Sequence, residues 1–120
     1  MNDKVTTILE VREKIKAFVA AREWDRFHNA KNLSMSIAAE AAELMECFLW
    51  LDGNQSSEAV NEPKGEDIRH EIADIAYMLL CLCNAHNIDL AAAIENKMVV
   101  NAERYPVEKA KGNTKKYTEF

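Results

Sequence analysis

Glycine and proline are scarce in this sequence, which contains three Gly and two Pro in 120 residues. Because both residues interrupt regular helices and mark tight turns, their scarcity argues against an all-β fold and favours long helices. Long apolar runs are also absent, and none approaches the length of about 20 residues needed to span a bilayer. We therefore expect an all-α protein with one domain, the usual number for a chain of this length.

Excess positive charge and paired cysteines are missing as well. The net charge of −5 offers no basic surface for nucleic acid. Cys47, Cys81 and Cys83 are odd in number, lie in apolar stretches and lack zinc-ligand spacing, so we expect buried, reduced thiols. The polar N-terminus does not resemble a signal peptide. Together these features predict a cytoplasmic protein that binds neither nucleic acid nor membrane.

What the sequence does contain is apolar residues at helical spacing, which predict four helices. We expect the helices to cover about residues 3–22, 32–51, 66–85 and 90–104. Asn32 and Asp89 are the expected N-caps of the second and fourth helices. Residues 23–32 and 52–66 lack the pattern and are predicted to be loops. The expected subunit is therefore four-helix bundle-like.

Two of the predicted helices are apolar on two faces. In the second, one stripe is expected to face the core, and Met45 and Leu49 lie on the far side. In the third, the expected core stripe is Ile68, Ile72, Ile75, Leu79 and Leu82, and the expected partner face is Ala73, Tyr77 and Leu80. Because a helix with two apolar faces must be buried on both, we expect assembly into a dimer or tetramer.

Pro106 follows the fourth predicted helix and marks its end. We place the domain at residues 1–106. The remaining residues, 107–120, are polar and Lys-rich and lack a core pattern, so we expect this tail to be mobile or to pack only in an oligomer.

Four carboxylates in two matched pairs are the most informative feature of the sequence. Glu40 and Glu43 are three residues apart in the second predicted helix, and Glu71 and Asp74 are three apart in the third. Residues at this spacing share a helix face, so the four side chains converge if the helices pack together. Clustered carboxylates need a compensating cation, and all-oxygen ligands favour Mg²⁺, or Mn²⁺ in its place.

These acids allow two other interpretations, a solvated helix face and a di-iron site. A single Glu-x-x-Glu pair would more often be a solvated helix face, but residues 37–50 contain no Lys or Arg, whereas solvated faces usually mix both signs. Di-iron carboxylate bundles use Glu-x-x-His, which neither pair has. His70 directly precedes Glu71 and points about 100° away from it. We therefore prefer Mg²⁺ to iron.

The acids belong to a longer set of motifs: R22-E-W24-D-x-F27-H28, N32-L33, E40-x-x-E43-L44-x-E46-x-F48-x-W50, E71-I-A-D74 and K97-M-x-x-N101-x-x-R104-Y105-P106. With these motifs the sequence resembles the MazG-type all-α nucleoside triphosphate pyrophosphohydrolases. The resemblance is closer to the dCTP pyrophosphatase branch and covers most of residues 8–106. The resemblance implies hydrolysis of a (deoxy)nucleoside triphosphate to its monophosphate and pyrophosphate, as cleansing of the nucleotide pool. It also implies dimers or tetramers whose sites draw residues from more than one subunit.

The acids suit this chemistry independently, since a triphosphate would be repelled by them unless a metal intervened. We expect Glu40, Glu43, Glu71 and Asp74 to hold Mg²⁺, which neutralises the phosphates and polarises the phosphorus–oxygen bonds. A carboxylate not fully used by the metal can orient or deprotonate the attacking water. Glu43 is our choice for that catalytic role, with Glu40 beside it.

Substrate contacts are assigned mainly by the resemblance. Lys97, Asn101 and Arg104 share one helix face at i, i+4 and i+7, which on spacing alone would be a solvated face. The resemblance makes them, together with Tyr105, a clamp on phosphate oxygens. It also implies a base pocket in which two aromatic rings flank the base and an imidazole supports it, formed by Trp24, Trp50 and His28.

The sequence departs from the branch at three positions. Met78 stands where relatives usually have Tyr, Leu49 where they tend to have Gln, and Ile15 where some have a substrate-facing His. These changes leave the acids intact but affect base preference, so we expect dCTP as substrate with tolerance of dATP. The alternatives are a non-enzymatic helical interaction module, or the same fold acting on dUTP or phosphoribosyl-ATP.

Overall fold

A computed structural model describes residues 1–63 and 65–120 of the chain. Its α-helices are α1 (Ile8–Ala20), α2 (Ala30–Glu46), α3 (Gly53–Ala59), α4 (Gly65–Ala85), α5 (Leu90–Arg104) and α6 (Val107–Ala110). No β-strand occurs in either described range. The prediction of an all-α fold is therefore confirmed, with two short helices beyond the four expected. Lys64, in the predicted loop 52–66, lies outside the described residues.

Side-chain caps set the helix starts that the apolar pattern misplaced. Helix α1 begins at Ile8, not at residue 3, because Thr7 and Glu10 form a capping box. The Thr7 hydroxyl accepts a hydrogen bond from the Glu10 N–H at 3.2 Å. Helix α2 is capped by Asn29, whose side chain accepts from the Asn32 N–H at 2.9 Å, so the prediction of Asn32 as the cap was wrong.

The second and third predicted helices also end or start differently. Helix α2 stops at Glu46 rather than residue 51, and the segment expected to be a loop contains α3. Asp52 caps α3 in a second capping box with Gln55, at 2.8 and 3.0 Å. Gly65 is required where α3 meets α4, since a Cβ there would overlap the carbonyl of Val60. The predicted span of α5 and its Asp89 cap are confirmed.

Within residues 1–87, α1 and α2 both pack on α4. Helix α1 runs antiparallel to α4, because Arg12 bonds Asn84 while Phe18 contacts the ring of Tyr77. Helix α2 is antiparallel to α4 as well, since its last residue, Glu46, shares a groove with Asp67 near the start of α4, whereas the charge of Asp74, later in α4, acts on Glu40, earlier in α2. The buried core cluster consists of Ile15, Val19, Leu33 and Cys81.

The faces of α4 match the prediction only in part. Ile68 is buried and Leu82 packs against the core cluster, as expected. Ile72 and Leu79, assigned to the core, are 48% and 36% exposed. Tyr77 and Leu80, assigned to a partner, pack against the core cluster instead. The assignment was wrong here because α1 covers the side of α4 that carries Tyr77, and apolar periodicity does not reveal which stripe a neighbour takes.

All three cysteines are free thiols, and Cys81 and Cys83 are buried as expected. Cys47 is only half-buried. No single helix in the described parts of the chain is long and apolar enough to cross a membrane, and only α4 and α5 taken together pass that test on length and composition.

Residues 88–120 form a second compact unit. The aromatic rings of Tyr117 and Phe120 meet Tyr105 edge to face, with ring centroids 5.8 and 6.0 Å away. The guanidinium of Arg104 lies over the Tyr117 ring at 4.9 Å. The tail therefore packs on the end of α5 in its own chain, contrary to the expectation that it packs only in an oligomer. The domain boundary at residue 106 stays a prediction.

Candidate active site

Helices α2 and α4 bring acidic side chains together across their contact. One carboxylate oxygen from each of Glu40, Glu43 and Glu71 lies within 4.8 Å of the others. Asp74 does not belong to this set, although its charge acts on Glu40. Three of the four predicted ligands therefore converge, with the fourth close enough to be felt electrostatically. We call Glu40, Glu43 and Glu71 the carboxylate triad.

Mutual repulsion and burial are visible in the triad. The pKa of Glu71 is raised, first by burial and then by the charges of Glu43 and Glu40. The pKa of Glu40 is raised by burial, then by Glu43 and Asp74. The Glu71 Oε2 atom is buried and accepts no hydrogen bond from any described residue. A buried carboxylate oxygen without a donor, beside two other carboxylates, fits a bound cation or a shared proton.

The acidic surface extends beyond the four predicted residues. Asp67 and His70 line a groove of about 460 Å³ together with Glu43 and Glu71. Asp67 precedes Glu71 by four residues, so both lie on one face of α4. This i, i+4 spacing from Glu71 is visible in the sequence and would have identified Asp67 as a further acidic residue of the site.

A second cavity, of about 270 Å³, lies further along α4. It is lined by Ile15, Lys16 and Val19 of α1, by Asp25 and His28, and by Cys81, Asn84 and Ala85. We call it the His28 cavity. Asp74, Cys81 and Ala85 share one face of α4 at i, i+7 and i+11. Seven residues of helix span about 10 Å, which is comparable to the length of a nucleotide.

Trp24 stands next to the His28 cavity in sequence, directly before its lining residue Asp25. Its ring meets Phe18 edge to face at 6.0 Å, and it is 42% exposed. The Arg22 guanidinium covers the Phe18 ring at 3.5 Å. Trp24 and His28 therefore lie at one end of α4, on the α1 side.

Trp50 lies elsewhere. It is 91% exposed and lines a groove of about 500 Å³ with α3 and with Ile68 of α4. Ile68 and Cys81 are thirteen residues apart, or about 20 Å along the helix. One chain therefore does not bring Trp50 to the His28 cavity. The sequence does not reveal this separation, because the apolar pattern does not fix which end of α4 each connecting segment reaches.

Lys97, Asn101 and Arg104 are exposed on α5, and Tyr105 is its C-cap residue. All four belong to the unit of residues 88–120. Within it, the Arg104 and Tyr105 side chains are held by the C-terminal rings described above.

Known proteins are similar to this chain in sequence and in fold. The profile of the MazG-like family matches residues 35–120. The human (Homo sapiens) protein named dCTP pyrophosphatase 1 is 32% identical over 115 residues, covering 95% of this chain and 68% of that protein. The dCTP pyrophosphatase 1 of Rattus norvegicus gives the same figures. A crystal structure of a pyrophosphatase from Archaeoglobus fulgidus DSM 4304 superposes with a TM-score of 0.78 at 33% identity, covering 88% of this chain and 98% of that one.

The fold and these relatives define the class, a nucleoside triphosphate pyrophosphohydrolase. The chain belongs to the MazG-like family. Membership implies a nucleotide substrate and use of a divalent metal, and the carboxylate triad provides ligands for one. The prediction of an enzyme is confirmed, and the alternative of a non-enzymatic interaction module is rejected.

Proposed function

We propose that the protein hydrolyses deoxynucleoside triphosphates, dCTP first and also dATP, to the monophosphate and pyrophosphate, as cleansing of the nucleotide pool. The observation that carries the proposal is the carboxylate triad with the buried oxygen of Glu71, which has no hydrogen-bond partner in the part of the chain that the structure describes. Relatives named dCTP pyrophosphatase support dCTP as the substrate.

Glu40, Glu43, Glu71 and Asp74 would hold Mg²⁺, or Mn²⁺, because their donors are all oxygen. When bound, the ion offsets the phosphate charge and polarises the phosphorus–oxygen bonds. Glu43 is the exposed member of the triad, whereas Glu40 and Glu71 are half-buried. We assign to Glu43 the orientation of the attacking water and acceptance of its proton, with Glu40 as the second catalytic carboxylate. The water oxygen bonds to phosphorus as the anhydride bond between monophosphate and pyrophosphate breaks.

The base would occupy the His28 cavity, beside Trp24. Cys81, which lines this cavity, lies about 10 Å along α4 from Asp74. This distance suits a nucleotide whose base is in the cavity and whose phosphates reach the triad. Lys97, Asn101, Arg104 and Tyr105 would bind phosphate oxygens. Because Trp50 lies far from the cavity in its own chain, we assign it to the base pocket of a second chain.

Self-association as a dimer or tetramer is supported by exposed apolar side chains. Met45, Leu49 and Ile72 are 59%, 55% and 48% exposed, and Met98 on α5 is 65% exposed. Helix α5 has no buried residue. Exposed large apolar side chains of this kind are typical of interaction surfaces. The free thiols suit a reducing compartment, and we propose a cytoplasmic location.

The test is pyrophosphate release from the standard NTPs and dNTPs, dUTP and phosphoribosyl-ATP, each with Mg²⁺ and with chelator. The proposal predicts Mg²⁺-dependent release, strongest with dCTP and next with dATP. Preference for dUTP or phosphoribosyl-ATP would replace the substrate but keep the reaction. Full activity in the chelator would refute the metal site.

A further inference from the structure

We propose that Phe18 is a positioning residue for base binding, because it holds the Trp24 ring in the orientation in which that ring stacks on the base. Arg22 and Tyr77 in turn hold Phe18. This inference rests on the proposed function, because it assumes that the base lies in the His28 cavity beside Trp24.

The backbone of Trp24 is fixed by the turn that ends α1. The Trp24 N–H donates to the carbonyl of Val19 at 3.1 Å, and the Glu23 N–H donates to the carbonyl of Ala20 at 3.0 Å. These are the two hydrogen bonds of a Schellman turn, which needs a residue in the left-handed region, and Glu23 has a φ of 53°. Because Val19 also lines the His28 cavity, this turn places Trp24 at the edge of the cavity.

The side chain of Trp24 is not held by burial, since 42% of it is exposed. Its ring meets that of Phe18 edge to face, with the centroids 6.0 Å apart and the planes at 72°. Aromatic pairs favour this arrangement. The contact restricts rotation about the Trp24 side-chain bonds, so less freedom is lost when a base stacks on the exposed part of the indole.

Phe18 is itself held by two further residues. Its ring meets Tyr77 edge to face at 6.1 Å, and Tyr77 packs against the core cluster. The Arg22 guanidinium lies 3.5 Å from the Phe18 ring centroid, and Arg22 Nη1 donates to the Phe18 carbonyl at 3.0 Å. Phe18 is nevertheless 43% exposed, so filling the core does not account for its position. Its contacts instead connect Trp24 to the core through Tyr77.

Phe18→Leu tests the inference, because it removes the ring but keeps an apolar side chain. We expect KM for dCTP to rise at least about fivefold with kcat little changed, since stacking on the base is equal in the ground and transition states. Phe18→Tyr keeps the ring and should retain the wild-type KM. Val11→Ala is the matched control: Val11 lies about two turns earlier on α1 and packs against the core cluster, so its truncation should leave KM unchanged.

A double-mutant cycle shows whether Phe18 acts through Trp24. Trp24→Ala should itself raise KM, and adding Phe18→Leu to it should raise KM no further. An effect of Phe18 on general stability would instead add to that of Trp24→Ala. In an enzyme that hydrolyses dCTP, an unchanged KM in Phe18→Leu, or a further rise of the same size in the double variant, overturns the inference while the proposed function stands.

Fluorescence separates the ring contact from the reaction. Trp50→Phe leaves Trp24 as the only tryptophan, whose anisotropy can be measured in chelator without substrate. In this background, Phe18→Leu should lower the anisotropy and weaken the quenching of Trp24 emission by dCMP, whereas Val11→Ala should change neither. If wild type hydrolyses no triphosphate, the proposed function fails, but these two fluorescence changes still support the inference and their absence overturns it.

Discussion

The two ends of α4 differ in how their polar side chains are satisfied. Near its C-terminal end, Asn84 and Arg12 satisfy each other, and Cys81 is buried in the core cluster. Near the other end, Glu71 has a buried oxygen that no residue in the described ranges bonds, and two carboxylates lie beside it. One region is complete within the chain, whereas in the other no described residue donates a hydrogen bond to the buried carboxylate oxygen. Such local conflict in an otherwise consistent fold is typical of functional sites.

Substitutions of the carboxylates should have the largest effect. They sharpen the comparison because they should lower activity while the helical fold is retained. Glu40→Gln and Asp74→Asn should each lower kcat at least about 100-fold, because each removes a negative ligand from the metal site. Far-ultraviolet circular dichroism should show the helical fold retained. Normal turnover in either variant would contradict the metal assignment, and Glu13→Gln serves as the charge-matched control.

The next effect concerns the satisfied end of α4. Asn84→Ala leaves Arg12 Nε and the Arg12 carbonyl without their bonds to the amide, so it should lower the free energy of unfolding by about 1–3 kcal/mol. Urea unfolding in chelator measures it. The loss of stability should be similar with Mg²⁺ present. A loss that disappears when Mg²⁺ is added would contradict our claim that the Asn84–Arg12 contact is independent of the carboxylate triad.

Stability at the carboxylate end should depend on pH and metal. Burial and neighbouring charge raise the pKa of Glu71 and of Glu40 above 4.5, the ordinary value for a glutamate. The native state therefore binds more protons than the unfolded chain just above pH 4.5, and this contribution to stability falls as pH rises through the raised pKa values. In chelator, wild type should lose melting temperature relative to Glu71→Gln across that window.

Magnesium should remove that loss, since a ligand that binds only the native state stabilises it, by about 2.7 kcal/mol at 100 times its Kd. Melting curves of wild type and Glu71→Gln, with and without Mg²⁺, measure the difference. If the melting temperature of wild type is the same with and without Mg²⁺ at neutral pH, the triad binds no cation.

The smallest effect concerns Trp50. If a second chain presents it to the base, Trp50→Ala should raise KM more than it lowers kcat, because stacking is equal in the ground and transition states. Steady-state kinetics with dCTP decide this. A large loss of kcat at unchanged KM would assign Trp50 a different role.

The long helices could be predicted from the sequence because their apolar residues are periodic. The exact helix ends, and which helix packs on which face, could not. Helix α5 and its Asp89 cap were placed correctly because apolar spacing and a capping residue agree there. The Thr7 and Asp52 capping boxes were legible in the sequence but were overlooked. The exposed Leu79 and the packed Tyr77 show the limit, because which stripe a neighbour covers is a tertiary matter.

The candidate site divides in the same way. Convergence of Glu40, Glu43 and Glu71 followed from i, i+3 spacing on two packed helices. The separation of Trp50 from His28 did not follow, since it depends on the antiparallel direction of α4 and on α3, which was not predicted.

The most direct test of the central claim is phosphorus NMR of the products formed from dCTP by wild type in Mg²⁺, by wild type in chelator and by Glu71→Gln in Mg²⁺. Our account predicts dCMP and pyrophosphate in the first sample and unreacted dCTP in the other two. Formation of dCDP and inorganic phosphate, or wild-type turnover by Glu71→Gln, would contradict it.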